Sequence, residues 1–265
     1  MAATPLDWAR GSLRTAFADW LWDVAWSYEE RPTVWRLGHP DGRVLFVKAG
    51  AIGRHPGLVD EAQRLAWARP HVPVPTVVGH GAGRGWEWIE LEPVAGVDAS
   101  AHPLRHEPHR LVPILAHALR AFHDALPVAS CPFDARVSTL LAHVRDRLDR
   151  GVVPVDNLHP EFAELGLEDA WRELVRLTPA TENLVVRHGD YCFPNVMLDD
   201  HGAVTGYLDL GELGVSDRRS DVVVGAWSTT WNVGHGYEQL FYDSYGLVPT
   251  PDEERFFRLL YDLES

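Results

Sequence analysis

The sequence predicts an α+β chain in two lobes, a small β-rich lobe over residues 1–93 and a larger helical lobe over residues 94–265. Three observations lead there. Short β-branched and aromatic runs bounded by turn residues fill the first part of the chain. Beyond "AGVDAS" the apolar residues change period and recur at three- and four-residue intervals. A length of 265 residues with 46% hydrophobic composition and no low-complexity tract is enough to bury a core in one large domain or two lobes.

In the first lobe, "TVWRL" (Thr33 to Leu37) and "RVLFVKAG" (Arg43 to Gly50) are β-rich and flank "GHPDG", a turn cluster, so they predict a hairpin. "LVDEAQRLAWA" sets Leu58, Ala62, Leu65 and Ala66 at helical spacing, and the prolines of "VPVPTVV" end that helix. "GWEWIELEPV" (Gly85 to Val94) is a further strand, with Trp86 and Trp88 read as strand packing.

The second lobe opens with a helix over His109 to Leu126, in which Pro113 is expected near the first turn, where proline is tolerated. Further helices are predicted near Val137 to Leu148 and Glu168 to Leu177. Two short strands, "VMLD" and "VTGYLDL", follow, joined by "DHGA". Helices near Ser220 to Trp227, Tyr237 to Tyr245 and Asp252 to Leu263 close the chain.

The net charge of −14 argues against nucleic acid, which needs clustered Lys and Arg, and suits a cationic ligand. No apolar run reaches the length of a membrane span, and "MAATPLDWARGSLRTAFADW" carries no secretory pattern. Cys131 and Cys192 stand far apart without metal spacing, so a reduced, cytoplasmic protein, monomer or dimer, is expected. Arginine supplies every basic residue but one, and Lys48 is the single lysine.

Lys48 gains meaning from a distant segment, "VVRHGDYCFPNVMLDDHGAVTGYLDLGELGVSDRRSD", which holds Asp190, Asn195 and Asp209 between apolar runs. A phosphoryl group in transfer spreads negative charge over its oxygens, and its site must supply cations and orientation. Mg2+ is a hard ion that takes carboxylate, amide and phosphate oxygens, and Asn195 and Asp209 offer the first two kinds. Asp190 would receive or orient the proton of the attacking hydroxyl, with His188 bracing the loop. Lys48, on a strand, would hold the phosphates of ATP or GTP, positioned by Glu61 on the following helix.

These residues carry a resemblance. "HGDYCFPN" with "GYLDLGELGVSDRRSD" resembles the signature of the aminoglycoside O-phosphotransferases, the 3′-phosphotransferases in particular. "FVKAG", "EAQRLAWA", "LRAFHDALP", "CPFDARV" and "FFRLLYDLES" agree in order, so the likeness runs from about Val34 to the C-terminus. It implies a protein-kinase-like fold and an ATP- or GTP-dependent kinase of a small cationic antibiotic, conferring resistance. By that resemblance Asp190 is catalytic, Asn195 and Asp209 hold magnesium, and Lys48 and Glu61 hold the phosphates. The backbone of Glu92 and Val94 corresponds to the adenine hinge. Ser27 and Thr33, in a loop that departs from the family, are candidates read from this sequence alone for hydroxyl contacts to the phosphates. Asp156, Asn157, Glu161, Asp262, Glu264 and the carboxylate of Ser265 correspond to the positions that bind substrate ammonium groups.

The chain also departs from that family. "SYEERPTVW" stands where a Gly- or Ser-containing loop is usual, and Glu29 and Glu30 must point away from phosphate. Glu212 replaces a common Arg, Tyr261 takes a position that is often acidic, and Asn157 replaces an acid. The lost negative charge keeps open a kinase of streptomycin or of a viomycin- or capreomycin-type peptide. The shared core keeps open a metabolic small-molecule kinase, and the unusual "SYEERPTVW" loop keeps open a catalytically silent nucleotide sensor.

Overall fold

β2 (Thr33–Gly38) and β3 (Val44–Ala51) form the expected hairpin, antiparallel from Thr33↔Ala49 to Gly38↔Val44. Gly42 turns it with φ 91°, a conformation that side chains with a Cβ resist. The computed structural model describes residues 13, 17–27, 32–53, 57–153 and 158–264. Glu29, Glu30, Asp156, Asn157 and Ser265 lie outside the described residues.

The hairpin belongs to a five-stranded antiparallel sheet with strand order β1-β2-β3-β5-β4, completed by β1 (Leu21–Trp26), β4 (Val77–Gly83) and β5 (Trp86–Leu91). β1 and β4 were not anticipated. β4 reads "VVGHGAG", a loop-like composition, yet its glycines make room across the strand pair. A Cβ on Gly79 would stand 2.4 Å from Glu90 Oε2, and one on Gly81 2.6 Å from the Trp88 ring. Trp86 and Trp88 do pack on the sheet, beside a core of Phe17, Trp35, Leu37, Val47 and Ala49.

Val47 and Ala49 face that core, so the strand period of two turns Lys48, between them, to the opposite face. α1 (Leu58–Ala68) packs against β3, β4 and β5 and buries Leu58, Glu61, Ala62, Leu65 and Ala68. Glu61 is thus the one charged residue on a buried apolar stripe.

The chain folds as two units, residues 1–95 with 206–211, and residues 96–205 with 212–265. The return of 206–211 to the first unit was not foreseen. Tyr207 N–H donates to the Pro73 carbonyl at 2.9 Å, and a Cβ on Gly206 would stand 2.6 Å from Val94 Cγ1.

The second unit contains α2 (Pro108–Ala125), α3 (Val137–Asp149), α4 (Leu167–Arg176), α5 (Arg218–Asn232), α6 (Glu238–Tyr245) and α7 (Pro251–Glu264). Pro108 takes the first turn of α2, which places Pro113 inside the helix and corrects its expected position. α5 starts ahead of its expected bound because the Asp217 side chain accepts from Arg219 N–H and caps it. Leu140, Val144, Phe162, Leu174, Val223, Phe256 and Leu260 lie in the core between these helices.

Two small sheets carry the loops of interest. β7 (Leu184–Arg187) pairs antiparallel with β10 (Gly214–Asp217), and β6 (Val97–Asp98), β8 (Val196–Leu198) and β9 (Val204–Tyr207) form the other. Among the described residues, no helix is long and apolar enough to cross a membrane.

Candidate active site

In the first unit, Lys48 Nζ lies 2.8 Å from Glu61 Oε2 and 2.5 Å from Asp209 Oδ1. Burial works against the ammonium charge, but the two carboxylates outweigh it and hold the lysine above its ordinary value. Burial raises Glu61, while Lys48 opposes that shift. Asp209 keeps a 45% exposed side chain and sits at φ 59°, a left-handed conformation that Asp tolerates better than most residues. The sheet, α1 and the returning segment therefore bring together three residues taken from distant stretches of the sequence.

The expected hinge also falls in this unit. Glu92 N–H donates to the Thr76 carbonyl at 2.9 Å, which fixes the start of the segment that holds Glu92 and Val94. Ser27 is exposed just after β1, and Thr33 is buried at the start of β2.

In the second unit, β7 delivers the loop from His188 to Asn195. Gly189 has φ 93°, and a Cβ there would stand 2.3 Å from Glu212 Cβ and 2.7 Å from its carbonyl oxygen. Only glycine fits both conditions. The buried Asp221 carboxylate, on α5, accepts N–H bonds from His188 at 2.6 Å and Gly189 at 2.9 Å, and contacts His123 Nε2 at 2.9 Å. Burial opposes its charge, yet the His123 contact and the backbone donor keep Asp221 below the ordinary carboxylate value. His188 braces the loop as expected, its Nδ1 accepting from Asp190 N–H at 3.3 Å.

The Asp190 carboxylate is held by side chains. Oδ2 accepts from Asn195 Nδ2 at 2.9 Å, and Oδ1 accepts from Tyr261 Oη at 2.8 Å and Cys192 Sγ at 3.2 Å. Asn195 Nδ2 also donates to the Asp190 carbonyl at 2.9 Å, so the amide points its Oδ1 elsewhere as an oxygen donor. Burial and the neighbouring Asp190 charge push the Tyr261 phenol and the Cys192 thiol well above their usual ranges, which keeps both protonated as donors.

The donor set suits a hard cation. Among the described residues, no group of three or more His, Cys, Asp or Glu is arranged to hold a metal. Asn195 in the second unit and Asp209 in the first offer an amide oxygen and a carboxylate, two of the kinds of oxygen that Mg2+ takes beside phosphate and water.

The substrate residues require correction. Asp262 is buried and its carboxylate is taken by His159, through the ring Nδ1 at 2.5 Å and the backbone N–H at 2.8 Å. Glu264 is buried against Arg187, whose Nη1 lies 3.2 Å from its Oε2, and Arg147 donates to the Glu264 carbonyl at 2.7 Å. Glu212 also faces Arg187, at 3.7 Å. Asp262 and Glu264 are thus buried and paired within the second unit and are not open to solvent. Glu161 pairs with Arg258 at 3.0 Å but keeps a 35% exposed side chain. Asp221, Tyr261 and Cys192 were missed as parts of the site; the one available signal was a carboxylate on an apolar helix face in "SDVVVGAW".

Comparison with known proteins follows the same lines. The profile of the phosphotransferase enzyme family matches residues 25–257. An aminoglycoside 3′-phosphotransferase from Streptomyces fradiae is 37% identical over 212 residues, covering 77% of this chain and 78% of its own. The crystal structure of an aminoglycoside-3′-phosphotransferase of type VIII superposes with a TM-score of 0.88 at 32% identity, covering 98% of this chain and 100% of its own. That of an aminoglycoside phosphotransferase from Streptomyces rimosus, in complex with ADP and streptomycin, gives a TM-score of 0.81 at 25% identity, covering 99% and 100%.

Proposed function

The chain belongs to the phosphotransferase enzyme family, and from that premise we propose that it phosphorylates a hydroxyl of an aminoglycoside, the 3′-hydroxyl, and so confers resistance. The observation that carries the reading is the Asp190 carboxylate, braced from three side chains on a loop that Asp221 anchors. A base fixed in this way orients the attacking hydroxyl and takes its proton as the new O–P bond forms to the γ-phosphorus and the bond from that phosphorus to the departing nucleoside diphosphate breaks. The donor is ATP, consistent with the ADP held by the Streptomyces rimosus relative. Lys48, positioned by Glu61, binds its phosphates, and the Glu92 carbonyl and Val94 N–H bind its base. Asn195 Oδ1 and Asp209 would hold Mg2+, which when bound supplies positive charge to the triphosphate. The acceptor's ammonium groups are received by Glu161 and the loop containing Asp156 and Asn157. Adding a phosphate gives negative charge and bulk to a drug that binds through positive charge.

A second reading, a streptomycin-type substrate, is favoured by one observation. His159 stacks on Trp231 with ring centroids 5.0 Å apart and planes 16° apart, and Trp231 is 45% exposed. Planar guanidinium groups, which streptomycin carries, stack on such faces better than ammonium groups do.

The test is nucleoside-diphosphate release with magnesium and either ATP or GTP, over kanamycin, neomycin, streptomycin, hygromycin, capreomycin and choline. Fast turnover with kanamycin or neomycin supports the first reading, and turnover confined to streptomycin supports the second. Activity with choline alone would replace both by a metabolic kinase. Silence throughout, with nucleotide still bound, would point to a sensor.

A further inference from the structure

Four hydrogen-bonding sites are available on an ionised carboxylate, two on each oxygen. On Asp190 the Oδ1 pair is filled by Tyr261 Oη at 2.8 Å and Cys192 Sγ at 3.2 Å. Oδ2 accepts from Asn195 Nδ2 at 2.9 Å, its one donor among the described residues. The count leaves one site, on Oδ2, for an incoming hydroxyl.

The phenol that fills Oδ1 is firmly held. Tyr261 lies on α7 directly before Asp262, which is bonded to His159, and three residues after Arg258 of the same helix, which is paired with Glu161. Glu264 itself is locked to Arg187. The Tyr261 ring also meets Trp227 edge-on at 6.4 Å. Helix α7 is thus fastened on both sides of the tyrosine by internal ion pairs, and the phenol has little freedom to leave Asp190.

We propose that Tyr261 is a positioning residue for phosphoryl transfer: its hydroxyl fixes Asp190 through Oδ1 so that Oδ2 alone receives the acceptor hydroxyl. This rests on the phosphotransfer reading above. Tyr261 acts through Asp190 and contributes to the rate of the chemical step, with little effect on the binding of either substrate.

Tyr261→Phe removes one oxygen and keeps the ring packing. With the aminoglycoside that the wild type turns over, kcat should fall roughly 10- to 100-fold, the rate equivalent of one hydrogen bond to a charged group. KM for drug and nucleotide should stay within about threefold, the pattern of a group that acts in the transition state. In an Asp190→Ala background the same substitution should change the residual rate by less than about twofold, because its route of action is already gone. A kcat within about twofold of wild type would overturn the proposal. So would a raised KM at unchanged kcat, which makes Tyr261 a substrate contact, or an additive loss in the Asp190→Ala background, which makes it structural. If Tyr261→Phe folds poorly, Cys192→Ala reads the same oxygen: a smaller kcat loss at constant KM supports the shared Oδ1 site, and a KM effect alone overturns it. Absent wild-type turnover on the antibiotic panel would fail the phosphotransfer reading itself, and that result is visible before any variant is made.

Discussion

The carboxylate of Asp221 accepts the backbone N–H of His188 at 2.6 Å, so a side chain on α5 fixes the backbone that carries Asp190. Asp221 is 1% exposed and shares the same carboxylate with Gly189 N–H and His123. Asp221→Asn should lower stability by about 3 kcal/mol, the scale for breaking a buried charged network, or roughly 6–12 °C in Tm for a chain of this size. The pH dependence has a defined sign. The folded value is depressed below 3.8, so the stabilisation is fully present above that pH and is lost as pH falls through the lower folded value. Differential scanning calorimetry should show a constant gap between wild type and Asp221→Asn above about pH 5 that closes below the unfolded value. A gap that widens in acid would refute the assignment.

Lys48 and Glu61 separate a stability effect from a nucleotide effect. Lys48→Met strands a carboxylate that is 2% exposed, and both melting temperature and ATP affinity should fall, the latter at least ~10-fold for a lost phosphate contact. Adding Glu61→Gln should recover much of the melting temperature and none of the affinity, since the double variant removes the buried charge without restoring the cation. Calorimetric unfolding and ATP titration of the three variants decide it. Recovery of affinity in the double variant would show that Lys48 does not touch the nucleotide.

The hairpin, α1 and the helices of the second unit were legible because each carries an unbroken period or a turn cluster, as in "LVDEAQRLAWA" and "GHPDG". β4 was not, because its glycines read as loop until Glu90 and Trp88 are seen to need the space opposite them. β7 and β10 are four residues each, too short to show a period. The Lys48–Glu61 pair was readable, since strand and helix adjoin in sequence. The Tyr261 bond to Asp190 spans 71 residues and the Asp221 bond to His188 spans 33, and no local pattern records such contacts. Acidic residues near the terminus looked like substrate contacts for a related reason: the sequence displays Asp262 and Glu264 but not the His159 and Arg187 that occupy them.

Asp190 and Asp209 should fail in different ways. Asp190→Ala removes the base and should reduce turnover by ~10²–10⁴ while nucleotide binding stays nearly intact. Asp209→Ala should abolish the magnesium dependence of nucleotide binding, because the exposed carboxylate beside Lys48 is the charged oxygen donor in this reading. Pre-steady-state turnover and nucleotide titrations with and without Mg2+ separate the two. Equal loss of magnesium-dependent binding in both variants would contradict the division of roles.

Glu161 and Asp262 offer the sharpest contrast among the acidic positions. Glu161 lies beside Arg258 with a partly exposed side chain, so an ammonium group can share its charge without breaking the core. Glu161→Gln should raise the antibiotic KM about two- to fivefold at constant kcat, the scale of one screened ion pair. Salt should erode that difference, since the interaction is at the surface. Asp262→Asn behaves otherwise, because its carboxylate is buried and held by the ring and the backbone N–H of His159. That variant should unfold at lower temperature, and whatever fraction stays folded should bind drug with nearly unchanged KM. A large KM change for Asp262→Asn at unchanged melting temperature would mean that the drug displaces His159 and takes the carboxylate for itself. Steady-state kinetics at low and high salt, set beside thermal melts of both variants, distinguish a charge that reads the substrate from one that builds the helix behind it.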